Sequence, residues 1–264
     1  MKTPKVLVLT GFGINCDYET KWVFEKAGAD AKRVHINDII SGKETLDDYH
    51  ILAIPGGFVF GDDLGSAKVL ANKMKFTLEE QIMQFIEDGK LAIGICNGFQ
   101  AMVKMGMLPG FGGNYNMQEC TLTFNDSGRF EDRWVHVKTD KLSKCVFTEG
   151  IERLYLPVRH GEGKFVPFDK DVLERLASSG HIALRYCNAD GERTQEYPFN
   201  PNGSVDAVAG ICDETGRIFG LMPHPECHSL GIHHPRWTRG EEAPERGEGI
   251  RIFENGVNYV KNNF

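Results

Sequence analysis

Cys96 stands where a nucleophile can be displayed. An apolar run with β-branched residues (92–95) ends at Cys96, glycines lie two positions away on each side, and a helix-compatible stretch (100–105) follows. This order predicts a strand, a sharp turn and a helix. A nucleophile at such a turn needs small neighbours, here Gly94 and Gly98, because the turn strains the backbone and the helix packs closely on the strand. A small buried cysteine in an ordinary strand–helix unit would fit the same residues.

His224 and Glu226 supply the groups that a cysteine nucleophile needs. Prolines at 223 and 225 exclude helix at this point, so the segment is expected to be extended or turn-like. Residues two apart in an extended chain face the same way, so Glu226 can hold one ring nitrogen of His224 while the other faces a thiol. With Cys96, the pattern predicts a nucleophile, a base and an orienting carboxylate in the chain order Cys, His, Glu.

Both motifs resemble those of the class I (triad) glutamine amidotransferases, as G-x-C-x-G-x-Q at 94–100 and H-P-E at 224–226. Four stretches resemble more closely the glutaminase family of the phosphoribosylformylglycinamidine synthases: 55–63, 97–100, 159–163 and 197–204. The similarity runs from about residue 5 to about residue 260. It implies a doubly wound, flavodoxin-like α/β fold with a mixed sheet and a β-rich insertion.

The oxyanion hole is expected beside the nucleophile. An apolar run at 51–54 enters Pro55-Gly56-Gly57, whose backbone N–H groups have no partner in a sheet and can stabilise an oxyanion. The resemblance places the hole at the N–H groups of Gly57 and Asn97. A flexible loop or a phosphate cradle would suit the glycine pair as well.

The resemblance also implies residues that bind the glutamine substrate. Gln100 lies one turn after Cys96 and is expected to contact the glutamine backbone, although a solvated helix residue would fit the same position. Phe58 and His160 belong to two of the family-like stretches and are assigned to the same pocket. The segment 159–163 is expected to be a loop that binds the ammonium and carboxylate of glutamine.

Composition limits the possible functions. With 264 residues, 41% of them hydrophobic and 25% charged, the chain 1–264 is expected to form a single domain. A net charge of −7 argues against binding nucleic acid or an anionic membrane. Seven cysteines without a C-x-x-C pair, and no signal peptide or long apolar span, indicate the cytoplasm. No cofactor and no metal are expected, since Cys227, His228, His233 and His234 match no usual zinc spacing.

The remaining elements follow from periodicity and turn residues. Strands are expected at 5–10, 31–36, 183–188, 208–212 and 218–222, and amphipathic helices at 18–27 and 250–264. The pattern at 77–80 indicates the start of a helix that ends at 88–89. Strands at 120–125 and 134–138 are expected to pair across the turn at 126–128. Asp62 and Asp63 are expected to be a solvated or helix-capping pair, and 236–249 to be surface.

The predicted reaction is glutamine hydrolysis through a glutamyl thioester, which releases ammonia. Because no nucleotide site is visible, ATP-dependent amidation must belong to another chain. The resemblance identifies that chain as the ATP-binding synthetase subunit that acts on formylglycinamide ribonucleotide in de novo purine biosynthesis, often with a small third subunit. The alternatives are an amidotransferase that serves a different acceptor, a flavodoxin-like cysteine hydrolase, or an inactive binding module of the same fold.

Overall fold

The computed structural model describes residues 3–239 and 245–264 as strands and helices in alternation, followed by a β-rich stretch. The strands are β1 (Lys5–Thr10), β2 (Asp30–His35), β3 (Ile51–Ile54), β4 (Leu91–Ile95), β5 (Cys120–Thr123), β6 (Glu131–Thr139), β7 (Arg153–His160), β8 (Lys164–Pro167), β9 (Ile182–Cys187), β10 (Val208–Cys212) and β11 (Ile218–Leu221). The helices are α1 (Asp17–Lys26), α2 (Ile36–Ile40), α3 (Lys68–Glu87), α4 (Asn97–Met105), α5 (Lys170–Ser178) and α6 (Ile250–Asn263).

A nine-stranded mixed sheet organises the molecule, in the order β2-β1-β3-β4-β11-β10-β9-β6-β7. The strands from β2 to β11 run parallel, and the pairs from β11 onward are antiparallel. The doubly wound α/β fold with a mixed sheet is therefore confirmed. The expected β-rich insertion mostly extends this sheet, and only β5 and β8 form a separate ribbon.

Burial explains the continuous apolar runs of the parallel strands. Every residue of β3 and β4 is buried, as expected for strands that helices cover on both faces. Helix α6 is amphipathic instead. Its apolar residues Ile250, Phe253, Val257 and Val260 are buried on one face, and polar residues occupy most of the other positions. The closing helix is confirmed.

The expected helix start at 77–80 is wrong. Helix α3 begins at Lys68, and the Thr77 hydroxyl lies inside it, donating to the Lys73 carbonyl at 2.6 Å. A threonine inside a helix can donate to the carbonyl of the preceding turn, so the Thr-x-x-Glu pattern alone does not distinguish it from a helix cap. Just before the true start, Asp62 Oδ1 accepts from the Ala67 N–H at 3.0 Å, which ties this aspartate to the residue that precedes the helix.

The expected pairing of 120–125 with 134–138 is also wrong. β5 pairs with β8, whereas β6 pairs with β7 and β9. The turn residues between β5 and β6 are real, but they redirect the chain from the small ribbon into the large sheet. Likewise, 159–163 is not all loop, since β7 continues to His160. Neither β8 nor α5 was expected.

Two further observations concern the surface. Within the described residues, no helix has the length and apolar character needed to cross a bilayer. Of the segment 236–249, the residues 240–244 lie outside the described part of the chain, and 236–239 are exposed as expected. Gly247 and Gly249 are buried, in close contact with the carbonyls of His228 and Pro225.

Candidate active site

The candidate site lies at the carboxyl ends of three neighbouring parallel strands, where ligands bind in open α/β sheets. The chain leaves β3 into Gly56 and Gly57, β4 into Cys96, and β11 into the segment of His224. A Cβ added at Gly56 would lie 2.7 Å from His224 Cε1 and 3.5 Å from Cys96 Cβ. The structure therefore brings the cysteine and the histidine, 128 positions apart in the sequence, together beside one glycine.

Cys96 occupies a strained turn, as the glycine-flanked pattern predicts. Its φ of 50° and ψ of −104° lie in a region that non-glycine residues rarely adopt, and the residue is 5% exposed. A Cβ at Gly98 would lie 1.8 Å from the Ile54 carbonyl oxygen, and one at Gly94 would lie 2.3 Å from Met102 Sδ. Glycine at both positions is required for α4 to pack this closely on β3 and β4.

His224 and Glu226 form a buried pair beside this turn. His224 Nδ1 lies 2.6 Å from Glu226 Oε1, and both side chains are almost fully buried. The His224 N–H donates to the Pro157 carbonyl at 2.8 Å, which fixes the segment against β7. Burial alone would lower the pKa of His224, but the charges of Glu226 and Cys96 outweigh it and hold that pKa well above its usual range. Nε2 has no hydrogen-bond partner among the described residues and is free for proton transfer.

Backbone N–H groups are available next to Cys96. The amides of Gly57 and Asn97 make no hydrogen bond within the described part of the chain. The Asn97 side chain joins the two segments that carry them, since its Oδ1 accepts from Val59 N–H at 3.1 Å. Its Nδ2 donates to Asp62 Oδ1 at 3.1 Å. This bridge fixes the distance between the two amides.

The residues assigned to glutamine lie around the same turn, with different surroundings. Gln100 is buried, and its amide already bonds Asn97 Nδ2 at 2.9 Å and the Glu162 carbonyl at 2.5 Å. Phe58 is 48% exposed at the rim. His160 is buried, with Nδ1 3.1 Å from Asn125 Oδ1, and burial, with the charge of His224, lowers its pKa to about 3. His160 is therefore neutral, and its Nε2 lacks a partner among the described residues.

Sequence reasoning missed two thiols beside the His224–Glu226 pair. Cys16 Sγ lies 4.0 Å from His224 Nδ1, and Cys227 Sγ lies 3.8 Å from Glu226 Oε1. Burial raises the pKa of both thiols, so both are protonated and neither competes with Cys96 as a nucleophile. Cys227 is adjacent to H-P-E in the sequence, whereas Cys16 follows β1 and no local pattern connects it to the site.

Comparison with known proteins agrees with this geometry. The family described as the CobB/CobQ-like glutamine amidotransferase domain matches residues 3–260. The phosphoribosylformylglycinamidine synthase subunit PurQ of Dehalococcoides mccartyi is 48% identical over 261 residues, which cover 99% of each chain. The subunit of the same name from Methanococcus maripaludis is 44% identical over 266 residues, 97% of each chain. A chain in the structure of PurLQS from Thermotoga maritima superposes with a TM-score of 0.73 and 29% identity, over 98% of this chain and 100% of that one.

Proposed function

Since this chain belongs to the CobB/CobQ-like glutamine amidotransferases, and within them to the PurQ subunits of phosphoribosylformylglycinamidine synthase, we propose that Cys96, His224 and Glu226 hydrolyse glutamine as its catalytic triad. The chain is the glutaminase component of that synthase. One observation carries the assignment of the triad: the strained Cys96 turn and the buried His224–Glu226 pair end neighbouring strands of one sheet.

The reaction proceeds in two steps. Cys96 gives its proton to His224 Nε2, and its sulfur attacks the side-chain carbonyl carbon of glutamine, while the N–H groups of Gly57 and Asn97 bind the oxyanion. His224 then protonates the amide nitrogen, the C–N bond breaks, and ammonia leaves a glutamyl thioester. In the second step His224 removes a proton from water, the hydroxide attacks the thioester, and glutamate leaves as the Cys96 sulfur regains a proton. Throughout, Glu226 accepts a hydrogen bond from His224 Nδ1–H, stays ionised and stabilises the imidazolium.

Phe58, Gln100 and His160 are proposed to bind the glutamine. The neutral His160 ring has an unpaired Nε2 that can accept a hydrogen bond from the substrate ammonium. Phe58 is half exposed, with its ring centroid 6.1 Å from that of Phe130, and can contact a glutamine bound beside Cys96. Gln100, whose amide is bonded to protein groups, has to exchange one of these bonds for a contact with the substrate.

The ammonia is proposed to serve the amidation of formylglycinamide ribonucleotide by an ATP-binding synthetase subunit in the cytoplasm. The Thermotoga maritima structure bears the name of an assembly, PurLQS, which supports a synthetase partner and a small third subunit for this chain. The chain 1–264 is proposed to act as one glutaminase domain of that assembly. Copurification with a large ATP-binding subunit is the expected result.

Separating the two half-reactions tests the function. In the complex, Cys96→Ala is expected to lower glutamine-dependent product formation by about 10⁴-fold or more, while synthesis from ATP and ammonium salt continues. Labelling by a thiol-alkylating glutamine analogue is expected to disappear in the same variant. Cys187→Ala, which removes a buried thiol from β9, is the matched control and keeps both activities. Survival of glutamine-dependent synthesis in Cys96→Ala would contradict the triad.

A further inference from the structure

Cys16, His224 and Glu226 bring three metal-binding atoms together from separate parts of the chain. Within the described residues, the Cys16 sulfur, a His224 ring nitrogen and a Glu226 carboxylate oxygen lie within 4.8 Å of one another. Cys16 follows β1, while the other two follow β11. The distance from Cys16 Sγ to His224 Nδ1 is 4.0 Å, close to the separation of about 3.5 Å that two ligands of one tetrahedral zinc ion adopt.

Unused polar atoms lie at this cluster. Glu226 Oε2 and the Ser229 hydroxyl have no hydrogen-bond partner in the described part of the chain, although each residue is only 1% exposed. A buried carboxylate oxygen without a partner is costly, because nothing replaces the water that it loses on folding. The proposed glutaminase reaction uses only the other oxygen of Glu226. The unpaired oxygen therefore needs a further partner.

A groove leads from solvent to this side of the pair. It has a volume of about 440 Å³, and its lining includes Glu226, Ser229, Glu19 and Glu25. Lys21 contributes a positive charge to the same lining but pairs with Glu25 at 2.5 Å. Glu19 and Glu226 thus both contribute carboxylates to the lining of the groove, which favours a cation there.

We propose that Cys16, His224 Nδ1 and Glu226 form an inhibitory zinc site, with water as the fourth ligand. A thiolate, an imidazole and a carboxylate are ordinary zinc ligands, and three protein ligands with one water complete a tetrahedron. Zinc binding releases the protons of Cys16 Sγ and His224 Nδ1 to solvent, and Nε2 carries the one proton that the neutral imidazole keeps. The hydrogen bond between His224 Nδ1 and Glu226 Oε1 is lost, and the metal bonds to His224 Nδ1 and to a carboxylate oxygen of Glu226 instead.

The inhibition follows from the tautomer and rests on the proposed function of the triad. His224 acts as a base only while Nε2 carries a lone pair, and zinc on Nδ1 puts the proton on Nε2 instead. Cys96 then has no group to accept its proton. The site shares His224 and Glu226 with the proposed triad but takes its sulfur ligand from Cys16, and Cys96 takes no part in it.

A binding measurement separates this site from zinc bound at the catalytic cysteine. The full-length Cys96→Ala variant, titrated with Zn²⁺ against a chromophoric chelator in thiol-free buffer, is expected to bind one equivalent. Cys16→Ala with Cys96→Ala is expected to lose that equivalent. Cys227→Ala is the matched control, since its thiol lies 3.8 Å from Glu226 Oε1 but accepts from the Arg159 guanidinium at 3.5 Å, which disfavours a cation there. If Cys96→Ala bound no zinc, Cys96 would be a ligand of the metal, and the proposal would be overturned.

Activity measurements test the inhibition. Glutamate release by the complex is expected to stop with micromolar Zn²⁺ and to return with a chelator, and Cys16→Ala is expected to need at least about tenfold more metal. Cys227→Ala is expected to remain as sensitive as the natural chain. Equal sensitivity of Cys16→Ala and the natural chain would refute the site. If the natural complex hydrolysed no glutamine, the proposed function would fail, while the binding titration would still decide whether the metal site exists.

Discussion

The parallel and antiparallel halves of the sheet contribute to the candidate site in different ways. Gly57, Cys96 and His224 all follow parallel strands, whose carboxyl ends meet at one edge. Antiparallel strands end at opposite edges in turn, so that half reaches the site mainly through β7. Its contributions are the Pro157 carbonyl bonded to the His224 N–H, the Arg159 carbonyl 3.6 Å from Cys96 Sγ, and His160. The parallel half supplies the groups proposed to react, and the antiparallel half supplies side-chain and backbone groups that pack against them.

The largest effect is expected within the parallel half, at the orienting carboxylate. Glu226→Ala is expected to lower kcat/KM for glutamine hydrolysis by about 10³-fold, less than Cys96→Ala, because the nucleophile and oxyanion donors remain. Steady-state glutaminase assays on both variants measure the difference, with circular dichroism as the check on folding. An unchanged rate in Glu226→Ala would assign the orienting role to another group.

The two halves are expected to differ in tolerance of a single methyl group. Gly98→Ala puts a Cβ 1.8 Å from the Ile54 carbonyl oxygen, so we expect the free energy of unfolding to fall by about 3 kcal/mol. In the loop after β7, the Cβ of Gly161→Ala would have Phe130 Cδ2 as its nearest neighbour, at 4.0 Å. This substitution is expected to change the free energy of unfolding by less than about 0.5 kcal/mol. Urea unfolding of the two variants makes the comparison. Equal losses would show that packing at the site is uniform across the sheet.

His160 and His224, both buried at the candidate site, are expected to contribute to the free energy of unfolding with opposite pH dependences. Burial and the charge of His224 lower the pKa of His160 to about 3, so its contribution is lost as the pH falls below about 6.5, by at most about 1.4 kcal/mol per pH unit. The pKa of His224 is raised, because Glu226 and Cys96 outweigh burial, so its contribution is present below about pH 6.5 and is lost as the pH rises through the folded-state pKa.

Urea unfolding between about pH 5 and pH 8 tests these signs. His160→Asn is expected to reduce the loss of stability on acidification, and His224→Asn is expected to reduce the loss at higher pH. The natural chain provides the reference for both slopes. The same change of slope in both variants would contradict the assigned directions.

The smallest effect is expected at Asp62, which acts through Asn97. Its Oδ1 accepts from Asn97 Nδ2 and from Ala67 N–H, so Asp62→Asn presents a donor group or a weaker acceptor to both. We expect kcat for glutamine to fall by about five- to tenfold with little change in KM, since the oxyanion donors shift and the substrate contacts remain. Ammonia-dependent synthesis is expected to be unaffected. The neighbouring Asp63→Asn, on an exposed side chain, is the control, and an equal loss there would exclude a positioning role for Asp62.

The sequence allowed the parallel half to be predicted almost completely. Except for the edge strand β2, its strands are largely apolar runs, and His224 and Glu226 lie two residues apart, so both features follow from local rules. The antiparallel half was harder, because nothing local in 120–125 indicates pairing with 164–167, more than 40 positions later. Cys16 was missed for the same reason, since its contact with His224 depends on β1 lying beside β3 in the sheet.

Hydrogen bonds between residues far apart in the sequence hold the segment just before α3. The first turn of a helix usually frays independently, but here Ser66 N–H donates to both carboxylate oxygens of Glu162, at 3.2 and 3.3 Å. The Glu162 carbonyl in turn accepts a hydrogen bond from Gln100 Nε2, and Lys104 Nζ donates to the Ser66 carbonyl. Because these hydrogen bonds join the segment before α3, the loop at 161–163 and α4, we expect the three to open together as one unit. Amide hydrogen exchange at Ser66 measures the free energy needed to expose the candidate site.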